Sequence, residues 1–289
     1  MSSAVTTPNP SKTKPLLEVS GLTKRFPLDR DVFGRPTRWR LAVDDVSLTV
    51  QRGQTLGLVG ESGSGKSTLA RLVLRLLPVS GGTVTFDGLD VIRAGSREIH
   101  RFRQRAQIVF QDPFGSLDPR FKVAALVSEG MDHLRLSRRA KRDRVAELLG
   151  LVHLPRDAAD RFPHEFSGGQ RQRISIARAL AVNPDFVIAD EPVSALDVSM
   201  QSQILNLMRE LQSRLGLTYL FISHDMAVVR FMADHVAVMN HGKLVEVAPA
   251  DDLFRHPEDP YTKSLLASVP SLLQGKPSRR VRHNAAASI

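Results

Sequence analysis

At 289 residues, with 42% hydrophobic and 24% charged side chains, the chain has an ordinary globular composition and the length for one large domain or two smaller ones. The absence of cysteine excludes disulfides, thiolate zinc sites and iron–sulfur ligation, and because Arg71 and Arg75 break the best apolar run, no stretch of about 18 residues is fit to span a bilayer. Forty Lys and Arg against thirty Asp and Glu leave +10, which favours an anionic partner (nucleotide phosphates, nucleic acid or an acidic membrane face) without choosing among them.

Residues 1–15 are rich in Ser, Thr and Pro, lack the apolar centre of a signal peptide and read as a disordered tail. Leu16 to Phe26 reads as a strand, and Pro27 to Arg40, rich in Pro, Arg and Asp, as a loop. Val46, Leu48 and Val50 alternate with polar residues at the period of a half-buried strand. Arg52-Gly53 turns the chain, and the apolar strand Thr55 to Val59 runs into Gly60-Glu61-Ser62-Gly63-Ser64-Gly65-Lys66-Ser67-Thr68. A helix is expected over Ser67 to Leu77, ending before Pro78, then a strand from Thr83 to Phe86 closed by the turn Asp87-Gly88. The apolar stretch Gln107 to Phe110 ends at Gln111.

From Asp112 to about Glu165 the pattern turns helical, best over Val123–Leu136 and Arg138–Leu149, as an insertion between two halves of an α/β core. The core resumes with a helix from Gly169 to Val182, stopped by Asn183-Pro184, and the apolar strand Phe186 to Ala189. Ile204, Leu207, Met208, Leu211 and Leu215 form a helical stripe ended by Gly216. A strand over Leu217–Ile222 and a hairpin, His235–Met239 with Lys243–Val247, complete the core near residue 250. The extension over 251–289 ends in a basic tail, Arg279 to Arg282; the clusters Arg97–Arg105 and Arg138–Arg144 read as solvated faces.

Gly60 to Thr68 fits the phosphate-loop pattern G-x-x-x-x-G-K-[ST] in full, in its proper strand–loop–helix context. Its glycines let backbone N–H groups surround the β- and γ-phosphates; Lys66 places a charge on those oxygens and the Ser67 hydroxyl suits Mg²⁺. The apolar strand before Asp190-Glu191 delivers Asp190 toward Mg²⁺ and sets Glu191 one residue further, to polarise a water in line with the γ-phosphate; taken alone, the pair reads equally as a solvated acidic turn. His224 ends another buried strand within reach of the same phosphate. Gln111 suits a contact to Mg²⁺ or the attacking water, though without the other residues an ordinary turn glutamine is the simpler reading. Ser167-Gly168-Gly169-Gln170 opens a second helix, either as a plain Ser N-cap or as an anion-binding start. Because two helix starts in different subdomains hardly converge on one phosphate, the second is placed against a partner's nucleotide.

These segments, in this order, resemble the ATP-binding subunit of an ATP-binding-cassette (ABC) transporter over roughly Leu16 to Pro270. The resemblance implies a P-loop NTPase core with an antiparallel β subdomain and an inserted helical subdomain, about residues 112–165. It makes Gly60–Thr68 the Walker A loop, Gln111 the Q-loop, Ser167–Gln170 the signature, Asp190 and Glu191 Walker B and its catalytic base, Ser194–Asp197 the D-loop, so that Asp197 borders the nucleotide, and His224 the switch histidine. Phe166 stands where many relatives carry Leu. Within the family, Pro27–Arg40, Val109–Arg120, Phe162–Phe166 and the extension Leu253–Pro257 with Asp259-Pro260-Tyr261-Thr262 resemble oligopeptide/dipeptide importer ATPases. That implies Mg²⁺-dependent ATP hydrolysis at the cytoplasmic face of a membrane, a second ATP-binding subunit, two membrane-spanning permease subunits and an extracytoplasmic solute-binding protein. The family's adenine-stacking aromatic maps to Phe26, with Trp39 as rival. A nucleic-acid-linked ABC ATPase is disfavoured, since the chain has one cassette and no sustained heptads, and no nucleic acid is expected as partner.

Overall fold

The structure, a computed structural model, describes residues 14–30 and 36–268. Most of the expected amino-terminal tail, and the basic tail after residue 268, lie outside the described residues. In chain order, β1 (Leu17–Arg30) and β2 (Pro36–Val50) pair, β3 (Thr55–Val59) leads to α1 (Lys66–Val73), and β4 (Gly81–Phe86), β5 (Leu89–Asp90), α2 (Ser96–Arg105) and β6 (Ala106–Val109) follow. The stretch to residue 165 contributes no strand: it holds α3 (Pro113–Ser116), α4 (Val123–Ser128), α5 (Arg138–Leu151) and short 3₁₀ turns. Then come α6 (Gly168–Leu180), β7 (Phe186–Asp190), α7 (Val198–Leu215), β8 (Thr218–Ser223), α8 (Met226–Met232), β9 (His235–Asn240), β10 (Lys243–Pro249), α9 (Ala250–Arg255) and α10 (Pro260–Ala267).

Two sheets result: an antiparallel one ordered β2-β1-β4-β5, and a six-stranded one ordered β10-β9-β3-β8-β7-β6. In the second, β9, β3, β8, β7 and β6 run parallel and β10 closes the edge antiparallel. Every residue of β3, β7 and β8 is buried, as expected of parallel strands covered on both faces. The two-residue period sorts their side chains between two cores. Val187, Ala189, Tyr219, Phe221, Val236 and Val238 join the core shared with the helical segment. Phe186, Ile188, Leu220, Ile222, Ala237 and Met239 join the core under the antiparallel sheet and α1. Because these strands are parallel, their carboxyl ends emerge at one rim, where α/β sheets place ligands.

Of the expected loop Pro27 to Arg40, the described residues 27–30 and 36–40 instead continue the two strands: Phe26 pairs with Arg40, Pro27 with Trp39 and Asp29 with Arg38. The ladder there is backbone-driven and leaves Leu28 and Trp39 exposed, so it produces no apolar alternation to read. Pro27 is tolerated because the β1–β4 pairing ends at Thr23, leaving this part of β1 with one neighbour. The helix after the phosphate loop stops at Val73, short of the expected Leu77: Arg75 takes a left-handed φ of 50°, and its guanidinium donates to the carbonyls of Val91 (3.1 Å) and Ala94 (2.7 Å). At the other extreme, Gly216 ends α7 as expected, with φ 66°.

The cluster Arg97–Arg105 lies largely in α2, a helix whose one buried residue is Phe102. Its last arginine is more than a solvated charge. Arg105 donates to Asp185 at the start of β7 (Nε, 2.7 Å) and to Asp87 in the β4–β5 turn (2.8 Å), and Arg52 also bonds Asp87. The network ties the antiparallel sheet to the parallel one. Hydrogen bonds from Arg52 and Arg105 hold the Asp87 carboxyl below its ordinary 3.8, so its contribution is present above that pH and is lost as pH falls through the lowered value. With its side chain one-third exposed, the pairing is worth roughly 0.5–1 kcal/mol. Asp87→Asn is expected to lower unfolding free energy by that amount in urea titrations at pH 7, with the deficit shrinking in acid below the usual aspartate range.

Candidate functional site

Four strand ends build the site. The loop 60–65 leaves β3, Gln111 follows β6, Glu191 follows β7 and His224 follows β8, all at the carboxyl rim of neighbouring strands. Gly60 and Gly65 are glycines of necessity. At φ 151° and 112°, a Cβ on either would stand 2.1 Å from the Met239 carbonyl oxygen or 2.3 Å from that of Ala42, and both obstacles are backbone. The β9–β10 turn and β2 brace the loop further, since the Gly242 N–H donates to the Ser64 carbonyl (2.9 Å) and the Asp44 N–H to the Gly242 carbonyl (2.8 Å). α1 begins at Gly65 with no side-chain cap, so its leading N–H groups are presented to an anion.

Lys66 is 5% exposed, and its ammonium donates to the carbonyls of Gly60 (2.7 Å) and Glu61 (2.7 Å) and more weakly to Ser64 Oγ (3.3 Å). Burial pushes its pKa down from 10.5, against the opposing pull of Glu191, Asp190 and Glu61. The Ser67 hydroxyl donates to Asp190 Oδ1 at 2.9 Å. Burial raises the Asp190 carboxyl above its ordinary value, partly offset by that hydrogen bond. A hydroxyl and a carboxylate, both hard oxygen donors, fit Mg²⁺, which takes one or two protein oxygens and completes its shell with phosphates and water. Gln111 is not within this pair; its amide Nε2 donates instead to Glu191 Oε2 at 3.1 Å.

Glu191 stands at φ 48°, a strained left-handed position for a non-glycine, held by its N–H donating to the Ile222 carbonyl (2.9 Å). His224 Nδ1 lies 3.1 Å from the same Glu191 Oε2. A carboxylate is thus oriented by a neutral amide and an imidazole next to a phosphate cradle, an arrangement suited to activating water against a phosphoryl group.

Ser167 caps α6 reciprocally with Gln170: the Gln170 N–H donates to Ser167 Oγ (3.3 Å) and the Ser167 N–H to Gln170 Oε1 (3.0 Å). A Cβ at Gly168 would stand 3.3 Å from Leu196, and one at Gly169 1.8 Å from the Met200 methyl, so the helix start rests on the segment that opens α7. Among the described residues no hydrogen bond joins Ser167–Gln170 to the loop 60–68. Asp197 is the N-cap of α7, accepting from the Met200 N–H (2.9 Å) and the Ser199 hydroxyl (2.6 Å), bonds that lower its pKa. Within this one chain it stands outside the Gln111–Glu191–His224 group. Glu61, Ser62, Gly63 and Thr68 occupy the loop and first helical turn, the first three exposed.

Phe26 and its cross-strand partner Arg40 share a face of the β1–β2 ribbon, whereas Trp39 falls on the other. Arg40 Nη2 lies 4.0 Å from where a Gly63 Cβ would be, so this side chain reaches the phosphate loop, while the Phe26 ring has the Lys24 ammonium 5.0 Å from its centroid. Arg40 is one residue the sequence alone did not single out. Tyr261 of α10 is a second, its hydroxyl accepting from the Glu61 N–H at 3.1 Å. Tyr261 carries no sequence signal of proximity, since 200 residues separate it from Glu61.

A sequence profile of the family "ABC transporter" matches residues 43–194, and that of "Oligopeptide/dipeptide transporter, C-terminal region" matches 245–288. The oligopeptide transport ATP-binding protein OppF of Bacillus subtilis is 51% identical over 89% of this chain and 83% of its own length. The dipeptide transport ATP-binding protein DppF of Lactococcus lactis is 53% identical over 80% and 75%. Among solved structures, an ATP-binding cassette in a dimeric post-hydrolysis state, bound to ADP and Pi, superposes with a TM-score of 0.71 at 27% identity, covering 81% of this chain and 98% of that one. The protein cbiO1 of Clostridium perfringens, part of the ABC transporter complex cbiONQ, gives 0.73 at 28% identity over 89% and 97%. With a phosphate loop, an oriented carboxylate and this likeness in hand, the chain belongs to the ABC transporter family, as one of its ATP-hydrolysing subunits.

Proposed function

We propose that this subunit drives the import of di- or oligopeptides, or a related small solute, by closing on a second ATP-binding subunit around ATP. The observation that carries the hydrolytic part of the reading is the convergence of Gln111 and His224 on one oxygen of Glu191, at the strand rim that also holds Lys66 and Asp190. The peptide class is supported by the likeness to oligopeptide and dipeptide transport ATP-binding proteins. Gly60 to Thr68 hold the phosphates, Phe26 stacks on adenine, and Ser67 and Asp190 would hold Mg²⁺ when it is bound, Gln111 being bonded to Glu191 instead. The metal supplies charge neutralisation across the phosphates. Glu191 takes a proton from water as the water oxygen bonds to the γ-phosphorus and the bond to the β–γ bridging oxygen breaks, releasing ADP and phosphate, while His224 and Gln111 orient that carboxylate. Ser167 to Gln170, with Asp197, serve the nucleotide held by the partner subunit.

Two opposed sites close the pair: moving an equilibrium from 1:99 to 99:1 takes about 5.5 kcal/mol of differential affinity, on the scale of two triphosphates each bound from both sides. The cassette spans 16–250 with its helical subdomain at about 112–165, and 251–289 forms the extension. Among the described residues no helix is long and apolar enough to cross a membrane. Two membrane-spanning permease subunits provide the solute path in this reading and hold the chain at the cytoplasmic face, as its likeness to transport ATP-binding proteins supports. A groove of about 870 Å³ between the segment after Gln111 and α4, lined by Leu117, Phe121, Leu126 and Arg178, supports a docking place for them.

Purification in mild detergent followed by mass spectrometry tests the reading. Two multi-span subunits and a second cassette are the expected companions; ribosomal proteins or nucleic acid in their place would overturn it.

A further inference from the structure

The carboxyl-terminal helix reaches the phosphate loop. α10 places the Tyr261 hydroxyl 3.1 Å from the backbone nitrogen of Glu61, from which it accepts a hydrogen bond. The peptide unit concerned joins Gly60 to Glu61, and it is gripped at both ends. Its carbonyl, on Gly60, accepts from Lys66 Nζ at 2.7 Å, and its N–H is taken by Tyr261. A trans peptide is rigid and planar, so fixing the N–H also fixes the direction of the carbonyl, and with it the seat of the Lys66 ammonium. The unit needs such a grip, because Gly60 at φ 151° has the conformational freedom to let it rotate.

Tyr261 is itself held from several sides. Glu246 of β10 accepts the N–H groups of Glu258 (3.0 Å) and Asp259 (3.1 Å), fixing the chain just before α10. Asp259 caps that helix by accepting the Tyr261 N–H at 2.8 Å. The ring packs against the core shared with the helical segment. Burial raises the phenol above its ordinary 10.0, so the hydroxyl is neutral throughout the working pH range.

We propose that Tyr261 is a positioning residue for ATP binding: by clamping the Gly60–Glu61 peptide, it makes the carboxyl-terminal extension a structural part of the nucleotide site. The residue acts through the loop and Lys66 and takes no part in the chemistry. This rests on the reading of Gly60–Thr68 as the nucleotide cradle.

The test is Tyr261→Phe in the full chain, which keeps the ring and removes the acceptor. Fluorescent ATP-analogue titration gives Kd, steady-state hydrolysis gives KM and kcat, and thermal unfolding without nucleotide reports on the fold. One neutral hydrogen bond's worth of preorganisation predicts a rise of about three- to ten-fold in Kd and KM, with kcat within about two-fold and Tm unchanged. Glu246→Gln, which weakens the anchor at one remove, is expected to give a smaller rise of the same kind. Unchanged Kd and KM in Tyr261→Phe would overturn the proposal, as would a parallel fall of kcat and Tm, the mark of a merely structural residue. Lys66→Ala run alongside separates the two levels. If it too left binding intact, the cradle reading would fail; if it abolished binding while Tyr261→Phe matched the unaltered chain, the clamp alone would fail.

Discussion

Glu191→Gln is expected to lower ATP turnover by roughly 10²- to 10⁴-fold, the usual range for loss of a general base, while ATP still binds. The substitution preserves shape. An amide keeps an oxygen to accept from Gln111 Nε2, and the backbone bond from the Glu191 N–H to the Ile222 carbonyl is untouched. What it lacks is the negative charge that receives a proton from water. The φ of 48° is no worse for Gln than for Glu, so the fold should survive. Since Lys66 and the phosphate loop are unaltered, nucleotide should enter, and a subunit pair that closes on ATP but cannot cleave it should accumulate. Hydrolysis assays, analogue titration and light scattering on the ATP-saturated protein check the three parts separately. Turnover within a few-fold of the unaltered chain would remove Glu191 from the role of base.

Lys66→Ala is expected to weaken ATP binding by about 100- to 1,000-fold, the equivalent of two charge-assisted hydrogen bonds at about 1.5–2 kcal/mol each. The side chain contributes little to the fold by comparison. Burial penalises its charge and pushes its pKa down, and its hydrogen bonds go to three neutral oxygens of its own loop. Removing a desolvated ammonium relieves its burial cost and offsets part of the bonds and of the attraction to Asp190, Glu191 and Glu61 that are forfeited. The signature is a split. Tm without nucleotide should change by only a few degrees, whereas the ATP-induced rise in Tm should vanish, because stabilisation by a ligand scales with concentration over Kd. A variant still protected by ATP at the same concentration would show that the phosphates lie elsewhere.

Much of this site is local in sequence. The phosphate loop, the Ser167 cap and the Gly216 helix stop each depend on a few consecutive residues whose backbone requirements are written in their identities: glycine where φ is positive, a hydroxyl at the helix start. The apolar runs of β3, β7 and β8 were equally legible, because strands covered on both faces must be apolar throughout. The ladder over residues 27–30 and 36–40 was not, since backbone pairing between exposed side chains leaves no pattern. Likewise the fate of Arg105 was hidden, because its partners Asp87 and Asp185 come from two other elements.

By itself the amino-acid sequence determined the chemistry available to this protein: a phosphate cradle, two acids at a strand end, an imidazole and an amide at two others. Tertiary structure alone decided how they are shared out. Parallel pairing in the order β3-β8-β7-β6 brought their carboxyl ends to one rim and gave Gln111 to Glu191 rather than to Asp190, while the packing of α10 set Tyr261 on Glu61. The physical reason is distance along the chain. Residue identity and short-range sterics act over a few positions, whereas contacts across tens to hundreds of residues form only once the cores have set strand order and register.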